Sequence, residues 1–525
     1  MATESMLKDN EFEALVGIVG APNVSREPAV LDTYAFQWCA ELINVMNDRA
    51  PSRYYIRPAA VIMPSSTEEV QKIVRACNEY QLKFKALSTG LGPWNCVSSP
   101  RAIQIDLRRM NKIVKIDVKN QYAVVEPYIS GAQLQAETMK YGLNCHMPGA
   151  GPQVSPLASS TSMGGPGFTS ASTGFAGRNV LGVQWVLPTG ELLELGALGQ
   201  KNDPDWFSGD GPGPSLRGIM RGFMGAKSGL GVFTRVATKL YLFPCKPDWN
   251  VTGESPEYNF DIPNYMKFYV INYRKWEQLE NALRRFEEEE IGFMCYYASS
   301  AAVLASYAKS REQLASQFAI HTRLKRPLTV MITAVSEREF NFKLKVVEGL
   351  IEETGGKDYT RKLKIRDVSY AEALRCLLGF HGFLVTGSFQ STHGGMDTIA
   401  MAMKLAQMNV PLKKEYIAKK VIADDAGEGV WLATYEHGHM AHCEMPTMYD
   451  PTNPESVIGV TDYAHACDKM DLENNLNIPF FIEGDKQHDW YGPHCMNYHL
   501  WLRKIKETFD PQNVADPGFY ISSKK

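Results

Sequence analysis

The stretch that decides the fold runs from Phe84 to Cys96 and reads FKALSTGLGPWNC. Its apolar run ends before Ser88, and the small residues from Ser88 to Pro93 predict a tight turn whose backbone N–H groups can approach an anion. An ordinary strand-connecting loop would have the same composition. The chain continues through a short polar loop into an alternating strand at 102–107, not into an amphipathic helix, which disfavours the nicotinamide-type dinucleotide fold.

The segment before this turn supplies the first half of a βαβ unit. Residues 57–64 (RPAAVIMP) predict a short strand that ends at proline, and residues 65–69 (SSTEE) predict a helix N-cap with acidic residues in the first turn. The helix that follows carries apolar residues at core spacing, at Val70, Ile73, Val74 and Cys77. Strand, helix, strand and turn therefore form one unit of ordinary size.

Two more stretches rich in small residues follow the first turn. They cover 161–178 (TSMGGPGFTSASTGFAGR) and 221–235 (RGFMGAKSGLGVFTR), and a predicted hairpin at 183–194 lies between them. Short strands are also predicted at 103–107, 113–116 and 122–127. Turn formation alone does not require three glycine-rich loops joined by strands.

The composition indicates a globular protein of more than one domain. The chain has 525 residues, 44% of them hydrophobic and 22% charged, and this length predicts two or three domains. A net charge of −3 gives no electrostatic case for nucleic acid or an anionic membrane, and we find no apolar tract long enough to span a bilayer. The ten cysteines form no CxxC pair and the N-terminus lacks signal-peptide features, so we expect a cytoplasmic protein with reduced thiols.

The region from about Arg57 to Leu242 resembles the FAD-binding domain of the p-cresol methylhydroxylase and vanillyl-alcohol oxidase family of FAD-linked oxidases and dehydrogenases. The resemblance is carried, in order, by RPAAVIMPSSTEEVQKIVRACNEYQLKFKALSTG, AIQIDLRRMNKIVKIDVKNQYAVVEPYISGAQL, VQWVLPTGELLELG and GLGVFTRVATKLYLFP. The C-terminal ETFDPQNVADPGFY resembles the closing segment of that family.

This resemblance implies an α+β fold with three parts. An FAD-binding domain of the p-cresol methylhydroxylase type (PCMH-type), made of two α+β subdomains, would cover residues 1–246. An α+β cap or substrate domain would cover 247–489, and a C-terminal segment at 490–525 would return to the FAD-binding domain.

The resemblance also assigns residues to the cofactor site. Backbone N–H groups and hydroxyls of the first turn would hold the FAD pyrophosphate, at Ser88, Thr89, Gly90, Leu91 and Gly92. The isoalloxazine or ribityl chain would lie along Pro148, Gly149, Ser159, Ser160, Ser162, Gly164 and Gly165. The adenine and ribityl part would pack near Gly229, Gly231 and Val232, and Asn513 or Pro517-Gly518 would close the site.

The family includes members with a covalent flavin link from a tyrosine or a histidine. No tyrosine occurs between Ala371 and Tyr416, so we expect noncovalent FAD. A covalent link at His381 or His393 is the alternative.

Three of the 11 histidines fall within six residues, in EHGHMAHCE at 436–444. On a strand His437 and His439 share a face, and His442 joins them only after a turn, so three ligands to Zn²⁺ or Fe²⁺ are geometrically possible. We assign no metal, and expect one or two of these histidines to face the flavin as a base or as a substrate hydrogen-bond partner. Histidines without chemistry would show the same pattern. Tyr491 is a further catalytic candidate.

The chain departs from the phenol-oxidising members of the family. Pro93-Trp94-Asn95 stands where a phenolate-binding tyrosine is expected, the loop at 161–175 has no acidic residue, and NNLNIPFFIEG at 474–484 has no Tyr-Arg pair. Eight aromatic residues of the chain predict an apolar substrate pocket, although an ordinary core would have the same composition: Trp94, Phe380, Phe383, Trp431, Phe480, Phe481, Trp490 and Tyr491.

The resemblance thus implies an FAD-dependent oxidoreductase that takes hydride from a C–H bond of a small aromatic or apolar alcohol-type substrate. Electrons would pass to an unknown acceptor, for which a partner protein is one option. The alternatives are a metal-assisted 2-hydroxy-acid dehydrogenase and a catalytically silent flavin-binding subunit. The family also implies a homo-oligomer, most simply a homodimer, and no sequence feature points to nucleic acid.

Overall fold

The computed structural model describes residues 6–36, 56–90, 95–146, 153–198, 213–221, 225–247, 250–254, 257–261, 263–299, 324–363, 391–425 and 427–523, together with residues 151, 310 and 312. Its helices are α1 (Asp9–Val19), α2 (Pro28–Tyr34), α3 (Thr67–Glu79), α4 (Gly131–Met139), α5 (Pro156–Thr161), α6 (Ser170–Thr173), α7 (Arg217–Met220), α8 (Trp276–Glu288), α9 (Glu337–Glu353), α10 (Thr360–Leu363), α11 (Ile399–Ala418), α12 (Pro454–Glu473), α13 (Gly484–Tyr491) and α14 (Tyr498–Phe509).

The first sheet has four strands and contains the predicted βαβ unit. In spatial order its strands are β1 (Val24–Ser25), β2 (Ala60–Ile62), β4 (Ala102–Asp106) and β3 (Lys83–Leu87). β2 and β3 both run parallel to β4, and α3 makes the crossover between β2 and β3. The Ser66 hydroxyl accepts a hydrogen bond from Glu69 N at the start of α3, and the predicted apolar face of this helix is fully buried. The predicted strand, N-cap and helix are therefore confirmed.

The second sheet is antiparallel. Its path is β5 (Ile113–Asp117), β6 (Tyr122–Val125), β10 (Val232–Leu242), β8 (Val180–Val186) and β9 (Leu192–Gly196), and β7 (Leu143–Cys145) also pairs with β10. β8 and β9 are the hairpin predicted at 183–194. Trp185 is fully buried and stacks between Phe233 and Phe509, so the C-terminal helix α14 forms part of this core.

The larger sheet, which we call the cap sheet, has eight strands. In spatial order they are β16 (Lys357–Asp358), β13 (Met266–Tyr273), β15 (Arg326–Thr333), β14 (Met294–Ala298), β18 (Trp431–Tyr435), β19 (Met440–Thr447), β17 (Ser391–Asp397) and β20 (Ile478–Pro479). All neighbours on this path are antiparallel. Helix α8 follows β13 and helix α9 follows β15, so strands and helices alternate in this part of the chain. A separate ribbon pairs β11 (Val251–Glu254) with β12 (Glu257–Phe260).

The two faces of the cap sheet have different neighbours. Helices α8, α9 and α11 pack on one face and form a large hydrophobic core with it. The other face meets the N-terminal part of the chain, where Phe168 lies 5.5 Å from Trp431 and Phe175 lies 6.3 Å from Tyr435 between ring centroids. The hairpin after β18 is fixed there because Glu436 N donates to Ser170 O.

The C-terminal segment contacts the first sheet. Phe84 N donates to Val514 O at 2.9 Å, and Asp516 N donates to Phe84 O at 3.0 Å. The fully buried Lys506 ammonium donates to Gly229 O and Ala515 O. In the described part of the chain, every helix is too short or too polar to cross a membrane.

Candidate functional site

A cleft lies at the carboxyl end of β3. Its walls are the turn after β3, the segment 154–163 and the segment 227–233. Of the residues that the sequence assigned to a cofactor, the lining includes Ser88, Thr89, Gly90, Ser159, Ser162 and Gly231. The structure thus brings parts of all three small-residue stretches around one cavity.

The turn after β3 is shaped by its backbone. Gly90 has φ +78°, in the region that favours glycine, and an added Cβ would meet only Leu87 Cδ1 at 4.0 Å. The backbone conformation, and not a lack of space, therefore requires glycine. The Ser88 and Ser155 hydroxyls both donate to Pro127 O, which ties this turn to the second wall of the cleft.

The second wall is built around α5. Ser159 and Ser162 line the cleft, whereas the Ser160 hydroxyl donates to Pro156 O within the helix. Gly165 has φ +53°, and an added Cβ would lie 2.5 Å from Ala176 Cβ. Gly165 therefore supports the wall by close packing, since its side chain position is already occupied.

His146 holds this wall in place and was not predicted. The buried ring donates from Nε2 to Gly165 O at 2.9 Å, and its Nδ1 lies 3.0 Å from Thr173 Oγ1. Burial lowers the pKa of His146 to about 4, so the ring is neutral near pH 7. A single histidine after a short strand carries no sequence signal of this role.

Other residues assigned to the cofactor do not line the cleft. Gly229 packs under the Tyr520 ring, and Val232 is buried in the core of the first sheet. Asn513 lies at the amino end of β3, where its carbonyl accepts a hydrogen bond from the Lys83 ammonium. Gly164 is also absent from the described lining. Leu91, Gly92, Pro148, Gly149 and His381 lie outside the described residues.

Two lysines that the sequence analysis did not assign to the cofactor also line the cleft; Lys227 had been one of four candidates, with Arg178, Arg221 and Lys486, for binding a substrate carboxylate in the 2-hydroxy-acid alternative. Lys85 forms a buried ion pair with Asp516, and Lys227 lies 3.4 Å from Glu483 of the segment that precedes α13. Each cation therefore has a carboxylate partner, and together these pairs leave the wall without a large net charge.

A second group of side chains lies on the face of the cap sheet that meets the N-terminal part of the chain. We call it the cap-face cluster; it consists of Trp431, Tyr435, His442, Glu444 and Phe480. Alternation along β18 and β19, with Ala433 paired to His442, puts the first four on one face. The His442 ring lies 4.6 Å from Trp431, 4.8 Å from Phe480 and 6.2 Å from Tyr435 between centroids.

His442 has the geometry of an oriented base. It is fully buried, and its Nε2 lies 3.1 Å from Glu444 Oε2. Because the carboxylate accepts, the proton of a neutral ring is on Nε2 and the lone pair is on Nδ1. Nδ1 has no hydrogen-bond partner within the described residues, and the same holds for Trp431 Nε1 and Tyr435 Oη. Buried polar atoms left in this way are typical of a site that binds water or a ligand.

The other two histidines of the motif do not join His442. His437 and His439 lie in the exposed turn between β18 and β19, so the prediction that they share a face of a strand is wrong. A glycine between them and a left-handed His437 (φ +56°) close this turn instead. In the part of the chain that the structure describes, no group of three His, Cys, Asp or Glu side chains could hold a metal ion.

Tyr491 lies away from the cap-face cluster. It is buried at the end of α13, and its hydroxyl donates to Asp468 O at 2.9 Å. This contact gives Tyr491 a structural role between α12 and α13.

His393 lies on the helix-covered face of the cap sheet, where it is paired with Met445 of the core. Its Nε2 is 3.0 Å from Asp471 and its Nδ1 is 3.6 Å from Asp468. A covalent flavin link at His393 therefore does not fit, because both ring nitrogens face carboxylates on the side away from the cleft. Burial opposes protonation of His393, but Asp471 and Asp468 outweigh it and raise its pKa. Burial raises the pKa of Asp468 to about 7.

We expect the buried cluster of His393, Asp468 and Asp471 to make the stability of the protein depend on pH. Folding raises the pKa of Asp468 from 3.8 to about 7, so its stabilising contribution falls as pH rises between these values. The raised pKa of His393 acts in the same direction above pH 6.5. Asp468→Asn keeps an acceptor for Gln487 but does not titrate. Calorimetry should therefore show that the Tm of the wild type minus the Tm of D468N falls by on the order of 2 °C between pH 5 and pH 8. A difference that does not change with pH would contradict the raised pKa of Asp468.

A cleft with a glycine turn and serine hydroxyls at the carboxyl end of a parallel strand is typical of a nucleotide-cofactor-binding protein. The model of the FAD binding domain matches residues 58–196 of this chain. The fold is that of p-cresol methylhydroxylase with substrate bound, at a TM-score of 0.74 and 17% identity over 98% of both chains. A 4-ethylphenol oxidase from Gulosibacter chungangensis matches with a TM-score of 0.73 and 17% identity over 97% of this chain and 96% of that one.

Curated relatives match in the same region. An uncharacterised FAD-linked oxidoreductase of Mycobacterium tuberculosis is 33% identical over 147 residues, which are 27% of this chain and 30% of that protein. The flavoprotein subunit of 4-cresol dehydrogenase (hydroxylating) of Pseudomonas putida is 28% identical over 198 residues, 36% of each chain. The matches thus span about a third of the length of these relatives.

The chain therefore contains an FAD-binding domain and has the PCMH-type α+β fold, as the resemblance implied. FAD is the cofactor of this domain. The described cleft fits it, because it combines a glycine turn with serine hydroxyls at the carboxyl end of a parallel strand.

Proposed function

We propose that this protein is an FAD-dependent oxidoreductase that oxidises a small aromatic or apolar alcohol at the cap-face cluster. The observation that carries the proposal is His442, a buried ring that Glu444 orients through Nε2 and whose Nδ1 faces no described partner. FAD, when bound, accepts a hydride from a carbon and passes the electrons to an acceptor.

The residues of the chain would handle the proton and the position of the substrate. His442 Nδ1 would take the hydroxyl proton, and Glu444 would stabilise the imidazolium that forms. The rings of Trp431, Tyr435 and Phe480 would hold a flat apolar body and exclude water from it.

The charge of the cluster favours a neutral substrate. Its charged side chain is the Glu444 carboxylate, which lies beside the His442 ring. A substrate carboxylate would therefore meet repulsion.

The 2-hydroxy-acid alternative is less well supported for the same reason. It has support from a D-lactate dehydrogenase of Anaerostipes hadrus, 28% identical over 190 residues, which are 36% of this chain. The described residues, however, include no group of three His, Cys, Asp or Glu side chains that could hold a metal ion. A catalytically silent subunit is disfavoured by the oriented His442.

The test is reduction of the bound flavin without oxygen. We expect benzyl alcohol to bleach the visible flavin absorption of the purified protein and D-lactate to leave it unchanged. Bleaching by D-lactate alone would favour the hydroxy-acid alternative. If neither benzyl alcohol nor D-lactate reduces the flavin, and no dye acceptor is reduced, the proposal fails and the protein is better described as a catalytically silent flavin-binding subunit.

A further inference from the structure

Lys227 reaches from the cofactor cleft into the cap. Its side chain lines the cleft and is only 4% exposed. The ammonium donates to Ile482 O at 2.6 Å and lies 3.4 Å from Glu483 Oε1. Both residues belong to the segment 480–483, whose first residue is Phe480 of the cap-face cluster. One side chain therefore connects the two sites.

The backbone at Lys227 is held in an unusual conformation. Lys227 has φ +42° and Ser228 has φ +64°, both in the left-handed region that residues with a side chain seldom adopt. Hydrogen bonds from Lys227 N to Ser162 O and from Ala226 N to Thr161 O fix this turn to the serine wall of the cleft. Conformations of this kind persist where the surrounding structure requires a particular side-chain direction.

The far end of the connection sets the position of Phe480. Phe480 N donates to Gly394 O at 2.8 Å, and an added Cβ on Gly394 would lie 2.7 Å from the Phe480 ring. The ring is thus held by β17 on one side and by the segment 481–483 on the other. Since it lies 4.8 Å from the His442 ring, a shift of this segment would change the wall next to the proposed base.

We propose that Lys227 is a positioning residue that fixes the substrate wall to the cofactor cleft, so that the two sites assemble as one. The proposal rests on the proposed function for the location of the substrate. Burial disfavours the charged form of Lys227 and lowers its pKa, while Glu483 opposes this effect. Removal of the ammonium would release the segment 481–483 and leave the Glu483 carboxylate buried beside the cleft without this counter-charge.

The test compares two affinities in matched variants. Lys227→Met removes the donor, and Lys227→Gln keeps a donor for Ile482 O. Lys413→Met is the control, because Lys413 is equally buried, donates to Pro446 O at 2.8 Å and pairs with Asp425 at 2.5 Å. The dissociation constant of FAD is measured on the apoprotein by fluorescence. That of benzyl alcohol is measured on the FAD-loaded protein with the flavin held reduced under nitrogen, so that no turnover occurs.

We expect K227M to bind benzyl alcohol roughly tenfold more weakly while FAD affinity changes by less than about threefold, since a hydrogen bond from a charged donor is lost at the substrate wall alone. K227Q should recover most of the alcohol affinity, and K413M should change neither constant. Should K227M fail to fold, Glu483→Gln serves instead and should weaken alcohol binding about twofold without affecting FAD.

Three results would overturn the proposal: unchanged alcohol affinity in K227M, an equal or larger loss of FAD affinity, or the same losses in K413M. The absence of benzyl alcohol binding in the wild type would overturn it as well. If benzyl alcohol binds but does not reduce the oxidised flavin, the proposed reaction is refuted. The positioning role of Lys227 is still tested in that case by the dissociation constants of FAD and benzyl alcohol.

Discussion

Replacement of His442 by asparagine should lower kcat for benzyl alcohol by a factor of about 10² to 10⁴, the usual contribution of a positioned general base. Asparagine cannot take the hydroxyl proton, and its amide ends near the position of Nδ1, short of the Nε2 position that donates to Glu444. KM should change much less, because the aromatic walls at Trp431 and Phe480 remain. The measurement is steady-state turnover with a dye acceptor, together with the rate of anaerobic flavin reduction.

Two further variants separate the base from its surroundings. Glu444→Gln leaves the His442 ring in place but removes the charge that stabilises the imidazolium, so we expect a loss of about tenfold or more in kcat. His439→Asn is the matched control, because His439 lies on the exposed turn of the same hairpin, and its kcat should stay within about twofold of the wild type. A fully active H442N that retains its FAD, or an inactive H439N, would refute the assignment of the base.

The sequence could predict the fold well because the fold depends on local patterns. The βαβ unit follows from an apolar strand, a Ser66 N-cap and a helix with one apolar face, and all three appear in the structure where the residues indicate them. The three glycine-rich stretches predicted the cleft for the same reason, since small residues and left-handed backbones such as that of Gly90 are local requirements.

The substrate side of the site could not be predicted as well, because it depends on contacts between distant segments. The motif at 436–444 drew attention to three histidines, but a turn at His437 and His439 leaves only His442 on the inner face. Phe480 and Lys227 meet this site through segments far apart in the chain, and no spacing in the sequence reveals such a meeting. Asn513 was assigned to the cofactor site by the family resemblance alone, and the structure places it at the amino end of β3, where its carbonyl accepts a hydrogen bond from the Lys83 ammonium.

Replacement of Gly231 by alanine should remove most of the bound FAD and lower the stability of the protein by about 3 kcal/mol or more. Gly231 has φ +110°, which a residue with a side chain adopts only under strain, and it lines the cleft directly before β10. An added Cβ would lie 2.2 Å from Val186 O, an atom of the neighbouring strand β8. Strands β8 and β10 at the base of the cleft must therefore move apart. Such a movement of two paired backbones in a buried sheet costs much free energy.

Two measurements on G231A check this expectation, the ratio of flavin to protein absorbance after purification and the Tm by calorimetry. Gly349→Ala is the matched control, because Gly349 lies on the exposed face of α9 with no atom within 4 Å of the added Cβ. That change should raise stability by about 0.5–1 kcal/mol, as alanine does in a helix, and leave the FAD content unchanged. The strain at φ +110° and the clash with Val186 O both follow from the position of Gly231 in the wall of the cleft. A G231A protein with full FAD content and an unchanged Tm would therefore show that the third glycine-rich stretch does not form the wall of the cofactor site.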